Sequence, residues 1–337
     1  MERHARRATA GQASGDTGPA AGDGTQPGPP DGRGARMDGP GRGDERAFRT
    51  HAHGLVAPTR ARLNAVGNAV LEDLRLYLRF IGIQVRAQAQ YKVSLAIDVG
   101  TYFAVTSLEF TVVLILFNRF PSMAGWHVGD VAMLTAISSF AFGIAELVGA
   151  GIDAFDQTIR RGEFDRVLLR PVSAIVQVVG SDFRLRRLGR LSEGFLIFAL
   201  AVHLLPPIHW TPAKLLMLPV GIFSGAAVFI AVLLLGATVC FWTVETTEIT
   251  NSLTYGGREA LSWPIAIYNR ALQGFFLFVV PLAFGTYVPV CYLLGRPLPL
   301  GLPAWVAFCA PVAAGTFALA AAAFWRFGVG HYQSTGS

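Results

Sequence analysis

Long apolar blocks separated by short polar stretches dominate residues 93–326. Most blocks reach about 20 residues, the length at which an α-helix crosses the hydrocarbon core of a bilayer. Six blocks are predicted to span a membrane, and they are Val93–Phe117, Val128–Gly151, Leu191–Leu205, Leu215–Trp242, Pro264–Phe284 and Ala304–Trp325. The predicted fold class is therefore all-α, a polytopic membrane protein with six transmembrane helices.

The residues before the first block follow a different pattern. Within residues 59–92, apolar side chains recur at spacings of three and four, and they are Leu71, Leu74, Leu78, Ile81 and Val85. Such spacing marks one face of an α-helix, and Arg75 and Arg79 lie off that face. A basic amphipathic helix next to a span is typical of a helix lying in the membrane interface. An ordinary cytosolic helix is the alternative.

The two ends of the chain lack such patterns. Residues 1–58 contain 12 Gly and 6 Pro and almost no large apolar side chains. A segment of this kind buries too little surface to offset its ordering entropy, so it is predicted to be disordered. Residues 93–326 form the predicted six-helix transmembrane domain, and residues 327–337 form a short C-terminal tail.

Composition narrows the class of protein. Only 15% of the 337 residues are charged and 52% are hydrophobic, whereas a soluble domain carries about 25% charged residues. The net charge of +6 lies beside the apolar blocks, so it indicates membrane topology and no nucleic-acid partner. The three cysteines form no CxxC pair, so neither a disulfide framework nor a zinc site is indicated.

The densest cationic stretch is residues 160–190, hereafter the arginine segment, which holds eight arginines. Each arginine costs about 2.5 to 3.5 kcal/mol at the centre of a membrane helix, so this segment is not a span. When the segment and both termini are placed in the cytoplasm, the outer loops keep only Arg119, Lys214 and Arg296 as cations. This charge bias predicts a plasma or inner membrane protein with cytoplasmic termini.

Acidic residues inside the predicted spans are candidates for function. Asp98 and Glu109 are eleven residues apart in the first span, so they share a helix face. They lie about 16 Å apart along the axis, which excludes a carboxylate dyad or a shared metal. Interhelical hydrogen bonding is one interpretation, and lining of a substrate path is the other, with Glu109 the better candidate. Glu146 and Glu193 are expected to reach the interface or to pair with arginines of the arginine segment.

Motifs of catalysis are missing from the sequence. It contains no HExxH and no GxSxG, and its two lysines, Lys92 and Lys214, lie outside any P-loop. We therefore expect no enzymatic activity and no cofactor on this chain, and any ATP would be hydrolysed elsewhere.

Apolar side chains run into the arginine segment. They are Ile152, Phe155, Ile159 and Phe164, followed by the sequence VLLRP. Pro171 disfavours helix at the preceding residue, so a short amphipathic helix is predicted at about Asp153–Leu169. Such a helix could be a docking surface, and a merely topogenic anchor is the alternative.

Several separated motifs resemble one family. They are GEFDRVLLRPVS, QVVGSDFRLRRLGR, TYGGREALSWPIAIYNR, FFLFVVPLAFGTYVPVCYLLGR and the terminal HYQSTGS. In this order, over about residues 70–337, they are similar to the type-2 ABC exporter permeases, in particular to the bacterial six-span branch.

The resemblance implies a specific architecture and specific partners. It implies an interfacial elbow helix, six spans, a cytoplasmic coupling helix between the second and third spans, and a re-entrant element before the last span, for which Gly285–Pro303 is the candidate. It also implies a separately encoded ATPase and a second permease, identical or a sister, within membrane lipid. On this basis, the expected ATPase-coupling residues are Glu163, Phe164, Asp165, Arg166 and Arg170.

Two other classes remain as alternatives. A stand-alone secondary transporter would show an internal repeat with paired broken helices, and the sequence shows one broken stretch and no convincing repeat. An intramembrane enzyme would need a nucleophile and a base, which the sequence does not offer. The substrate stays open among drugs, lipids, glycans and peptides, although the 24 phenylalanines suit an amphipathic cargo.

Overall fold

The computed structural model describes residues 59–243 and 247–333, with side chains described from Leu71 onward except at 247 and 249. The predicted disordered tail and the last four residues lie outside the described residues. The described part of the chain is helical and contains no strand apart from a single bridge between Met123 and Trp126.

The helices follow one another with short connections. Their bounds are α1 Thr59–Ala89, α2 Lys92–Arg119, α3 Val128–Val148, α4 Ala150–Asp153, α5 Phe155–Arg160, α6 Phe164–Leu168, α7 Ala174–Val179, α8 Leu188–Leu204, α9 Pro212–Val239, α10 Thr247–Leu261, α11 Arg270–Gly274, α12 Leu282–Gly285, α13 Tyr287–Leu294 and α14 Ala310–His331. A π-helical turn at Phe275–Val279 extends α11, and a 3-10 turn at Ala304–Cys309 leads into α14.

Within the described residues, four helices are long and apolar enough to cross a membrane, and a bent pair gives a fifth candidate. The four are α2, α3, α9 and α14 with its preceding turn. The bent pair is Arg270–Val279 with Leu282–Leu294. The prediction of an all-α, multi-pass membrane protein is therefore confirmed, whereas the count of six spans is not. The predicted third span forms α8, whose 17 residues are shorter than a typical span.

The bundle is built around α3, which packs against α8 on one side and α9 on the other. In the most apolar stretch of α3, 83% of residues are buried within the protein, compared with 17% in α2. Apolar side chains on α2 such as Leu108 and Ile115 are about two-thirds exposed. Since such a surface is unfavourable in water, α2 lies at the edge of the bundle, facing lipid or another subunit.

Contacts at the two ends of α10 connect it to the end of α9 and to the bent pair. At its start, Thr250 touches Gly236 near the end of α9. Beyond its last turn, Ile265 lies beside Tyr287. The ring of Tyr287 is 5.4 Å from that of Trp126 in the connection between α2 and α3. Polar residues along α10 lower its mean hydropathy, and α10 is not among the candidate membrane spans.

The fifth span, predicted at Pro264–Phe284, is wrong as a single helix. Asn269 caps a new helix by accepting a hydrogen bond from the Leu272 amide at 2.8 Å. Pro281 then follows the π-helical turn, and the two helical arms are bent by 71°. A proline lacks the amide proton that a continuous helix needs. The broken element expected at Gly285–Pro303 therefore begins earlier, at Arg270, and its second arm ends at Leu294.

Small residues let this bent pair lie directly on α9. The backbone of Gly285 approaches that of Gly225, and a side chain at Gly225 would lie 2.5 Å from Thr286 and 2.8 Å from Ala141. A side chain at Gly221 would lie 3.2 Å from Pro289. Glycines four residues apart on one helix permit such close helix contact, and here it is made with α12 and α13.

We expect Gly225→Ala to lower the stability of the folded protein by about 1–3 kcal/mol, because the added methyl group overpacks the contact. Glycine-to-alanine changes in open helix positions normally stabilise by about 0.5–1 kcal/mol. Gly315→Ala is the matched control, since nothing lies within 4 Å of its added methyl group. Thermal unfolding in detergent would measure both, and equal melting temperatures for the two variants would contradict the packing described here.

Candidate functional site

The arginine segment folds into short helices at one end of the bundle. The single helix predicted at Asp153–Leu169 is instead divided into α4, α5 and α6. The chain turns between α5 and α6, where Gly162 has a φ of 65°. That left-handed conformation is favourable for glycine and ends a helix, which accounts for the division.

Two phenylalanines fix these short helices to the bundle. Phe155 and Phe164 are completely buried and contact each other at 5.2 Å between ring centroids. They pack against three aromatic residues at the ends of other helices, Phe241, Trp325 and Tyr332. We call these five aromatic residues the aromatic anchor. The anchor joins the arginine segment to the ends of α9 and α14.

The structure separates the five residues expected to contact an ATPase. Phe164 is 0% exposed, and its ring packs within the aromatic anchor, so its role in ATPase coupling stays a prediction. Glu163, Arg166 and Arg170 are exposed. Asp165 is half-buried and lies beside Tyr332, and burial together with this carboxylate raises the pKa of the Tyr332 phenol.

Two leucines at the tip of the segment were missed by the sequence analysis. Leu168, the last residue of α6, is 43% exposed, and Leu169, which lies between it and Arg170, is 85% exposed. The Gln177 side chain braces this turn by donating hydrogen bonds to the carbonyls of Val167 and Val172, each at 3.0 Å. The two adjacent leucines in VLLRP were the available signal, since one helix face cannot bury both. We call Glu163, Arg166, Leu168, Leu169 and Arg170 the exposed tip.

The other end of the arginine segment enters the bundle through Arg190, which is 4% exposed. Its Nε donates to Glu146 of α3 at 2.9 Å, and its Nη1 lies 3.5 Å from Glu109 of α2. The guanidinium also lies over the rings of Phe142 and Tyr102, at 5.2 and 5.5 Å from their centroids. Of the two alternatives expected for Glu146 and Glu193, the structure shows pairing with an arginine of the segment for Glu146.

Further contacts extend this pair into a network. Arg258 of α10 donates to Glu109 at 2.8 Å. Arg187 forms an ion pair with Asp153 at 3.0 Å and also donates to the backbone carbonyl of Glu146. The hydroxyls of two tyrosines, Tyr102 and Tyr255, donate to the Glu146 carboxylate. The buried charge network thus consists of Glu109, Glu146, Arg187, Arg190 and Arg258, and it connects α2, α3, α8 and α10.

The remaining acidic residues are placed apart from one another. Glu193 is fully buried, and among the described residues neither of its oxygens has a hydrogen-bond partner, although Ser139 and Arg258 are neighbours. Asp98 is exposed and lines a cavity beside Arg184 and Arg186 of the arginine segment. Asp98 and Glu109 therefore face different groups, as their separation along the helix requires.

We expect Glu146→Gln to destabilise the protein by about 3 kcal/mol or more, because it leaves the buried Arg190 without its closest counter-ion. Glu163→Gln is the matched control, since it removes the same charge from an exposed position. Thermal unfolding and the yield of monodisperse protein in detergent would report the difference. Equal stability of the two variants would show that the network does not hold the bundle together.

Comparison with known proteins agrees with this architecture. The model of the ABC-2 family transporter protein matches residues 103–336, which include all of the bundle from α3 to α14. Neither curated proteins nor solved structures gave a match. Because the family match covers well over half of the chain and includes the arginine segment, the protein belongs to the ABC-2 family of membrane transporter permeases.

Proposed function

We propose that this chain is the permease subunit of an ABC transporter that exports an amphipathic substrate across the plasma or inner membrane. In this proposal a separate ATPase subunit binds and hydrolyses ATP, and the permease itself carries no cofactor. Membership of a transporter family supports the role in membrane transport. The ATPase partnership and the direction of transport rest on the arguments below.

The observation that carries the proposal is the exposed tip of the arginine segment. Leu169 is the most exposed large apolar residue of the described chain, and arginines stand on both sides of it at 166 and 170. A protruding apolar side chain with adjacent arginines is typical of the centre of a protein–protein contact. We therefore assign the ATPase contact to the exposed tip and Asp165, and no longer to Phe164.

The tip is also suited to transmit movement. Behind it, the aromatic anchor joins the segment to α9 and α14. Arg187 and Arg190 join the far end of the segment to α3 and, through Glu109, to α2 and α10. Since packed rings and buried ion pairs resist deformation, a displacement of the tip would be passed to several spans together.

We propose six passes through the membrane, formed by α2, α3, α8, α9, α10 and α14. In this arrangement α1 is the interfacial elbow helix, and the bent pair from Arg270 to Leu294 enters and leaves the membrane on the outer side. Two contacts support this placement of the bent pair. Its first arm touches the turn at Pro299–Gly301, and beyond its second arm Arg296 binds Asp130 and the carbonyl of Gly125.

Exposed charge on α2 and α10 favours a paired permease. The side chain of Glu109 is 41% exposed and that of Glu259 is 58% exposed, and both contact Arg258. A charge facing lipid near the middle of a span costs several kcal/mol. We propose that this face lines a water-filled substrate path between two permeases, either two copies or this chain and a sister. Asp98 lies at the membrane boundary, outside this path.

We expect Leu169→Asp and Arg166→Glu to weaken binding of the partner ATPase by about 30-fold or more, the equivalent of about 2 kcal/mol for a contact centre. ATP-driven transport should fall with binding, because the permease then receives no work. Co-purification with the partner ATPase, followed by transport assays in proteoliposomes, would measure both effects.

Arg326→Glu is the matched control, since Arg326 is exposed near the end of α14 but does not belong to the exposed tip. All three variants should melt at the temperature of the unmodified protein. Unchanged ATPase association in the tip variants would contradict the docking assignment. Transport driven by an ion gradient without any ATPase would instead favour a stand-alone secondary transporter.

A further inference from the structure

A cavity of about 500 Å³ lies where α1, α2 and the arginine segment meet. Its polar lining comes from all three, and consists of Gln88, Tyr91, Ser94, Asp98, Arg184 and Arg186. None of these residues belongs to the exposed tip, the aromatic anchor or the buried charge network. The cavity therefore has no role in the mechanism proposed above.

Specific contacts shape the walls of this cavity. The Gln88 side chain donates a hydrogen bond to the carbonyl of Phe183 and accepts one from the amide of Leu185 at 2.9 Å. Gly189 lies directly against the backbone of Val99 and Phe103, so α8 begins in contact with α2. Because both contacts involve the backbone, the segment that carries Arg184 and Arg186 is held at a fixed position opposite α2.

The charges facing this cavity are only partly neutralised by the protein. Arg184 is paired with Asp182 at 2.6 Å. Asp98 and Arg186 are both exposed, and in the described part of the chain neither takes part in an ion pair within 4.0 Å. One carboxylate and one guanidinium thus face the same space without contacting each other. A ligand that carries both a negative and a positive group would satisfy the two together.

The position of the cavity identifies the source of such a ligand. The first two turns of α2, a candidate membrane span, line it. On the same two helices, Ile83 of α1 and Val93 and Ile97 of α2, the last two beside lining residues in the chain, are 63% to 74% exposed. These apolar side chains require hydrocarbon, and Tyr91, also largely exposed, is of the type that lies at the headgroup level. The cavity therefore opens at the boundary between acyl chains and headgroups.

We propose that this cavity binds the headgroup of a zwitterionic phospholipid with a primary ammonium group, such as phosphatidylethanolamine. The phosphate accepts hydrogen bonds from Arg186 and from the hydroxyls of Tyr91 and Ser94, and the ammonium group donates to Asp98. An anionic lipid without an amine would bring its phosphate to Arg186 but leave Asp98 unpaired. The bound lipid would join α1, α2 and the arginine segment, and the assignment does not depend on an ATPase partner.

Lipid retention by the purified protein tests this proposal. The full chain is reconstituted in equal amounts of phosphatidylethanolamine and phosphatidylglycerol, and the lipid retained in detergent is quantified by native mass spectrometry. We expect about tenfold enrichment of phosphatidylethanolamine, corresponding to about 1.4 kcal/mol. Asp98→Asn should abolish the preference while retaining lipid, and Arg186→Gln should reduce retention of both lipids.

Glu72→Gln and Arg161→Gln are the controls, because both residues are exposed and neither lines the cavity. They should behave as the unmodified protein, and every variant should elute as a monodisperse species. An unchanged lipid ratio in Asp98→Asn, or the same loss in either control, would overturn the proposal.

Soluble probes separate a lipid from a free small molecule with the same chemistry. O-phosphoethanolamine should displace the retained lipid at millimolar concentrations, and inorganic phosphate should be at least about tenfold weaker because it lacks the ammonium group. Equal potency of the two probes would contradict the role of Asp98. Binding of O-phosphoethanolamine as tight as that of the lipid would contradict a membrane source for the ligand.

Discussion

The pairing of buried arginines is the constraint on which the bundle depends. A guanidinium group stays charged at any physiological pH. Arg190 and Arg258 can therefore be buried between the helices only where carboxylates form ion pairs with them. Glu146 and Glu109 provide those carboxylates from α3 and α2. The relative positions of α2, α3, α8 and α10 are fixed by these pairs as well as by apolar packing. Apolar contacts between helices in lipid are weakly directional, whereas these ion pairs have defined partners.

The same pairs connect the membrane part to the part outside it. Arg190 belongs both to α8 and to the end of the arginine segment. Arg187, one turn earlier, forms an ion pair with Asp153 of α4, a few residues before the arginine segment begins. The aromatic anchor attaches the other end of the arginine segment to the bundle through contacts of Phe164 with Phe241 and Trp325. The exposed tip lies between these two attachments. If the exposed tip binds the ATPase as proposed, the element that receives its movement is firmly attached to the bundle at both ends.

The sequence predicted the parts of the fold that depend on local pattern. Apolar length identified α2, α3, α9 and the final helix, and the position of Glu146 near the end of its span predicted an arginine partner. It did not predict α10, because Arg258 and Glu259 make that helix polar and the partner of Arg258, Glu109, is distant in the chain. The burial of Phe164 was not predicted for a related reason, because it depends on Phe241 and Trp325, which no local periodicity reveals. The bend at Pro281 was placed too late because the apolar run continues through it.

The orientation of the arginine segment is the central claim, and cysteine labelling from each side of the membrane tests it most directly. A thiol introduced as Leu169→Cys is highly exposed, the native Cys240 and Cys291 are buried, and the partly exposed Cys309 is replaced by serine in every variant. Trp210→Cys, in the connection between α8 and α9 at the opposite end of the bundle, is its counterpart. The account predicts that a membrane-impermeant maleimide labels position 169 only in inside-out vesicles and position 210 only in right-side-out vesicles. Labelling of position 169 from the outside would contradict it.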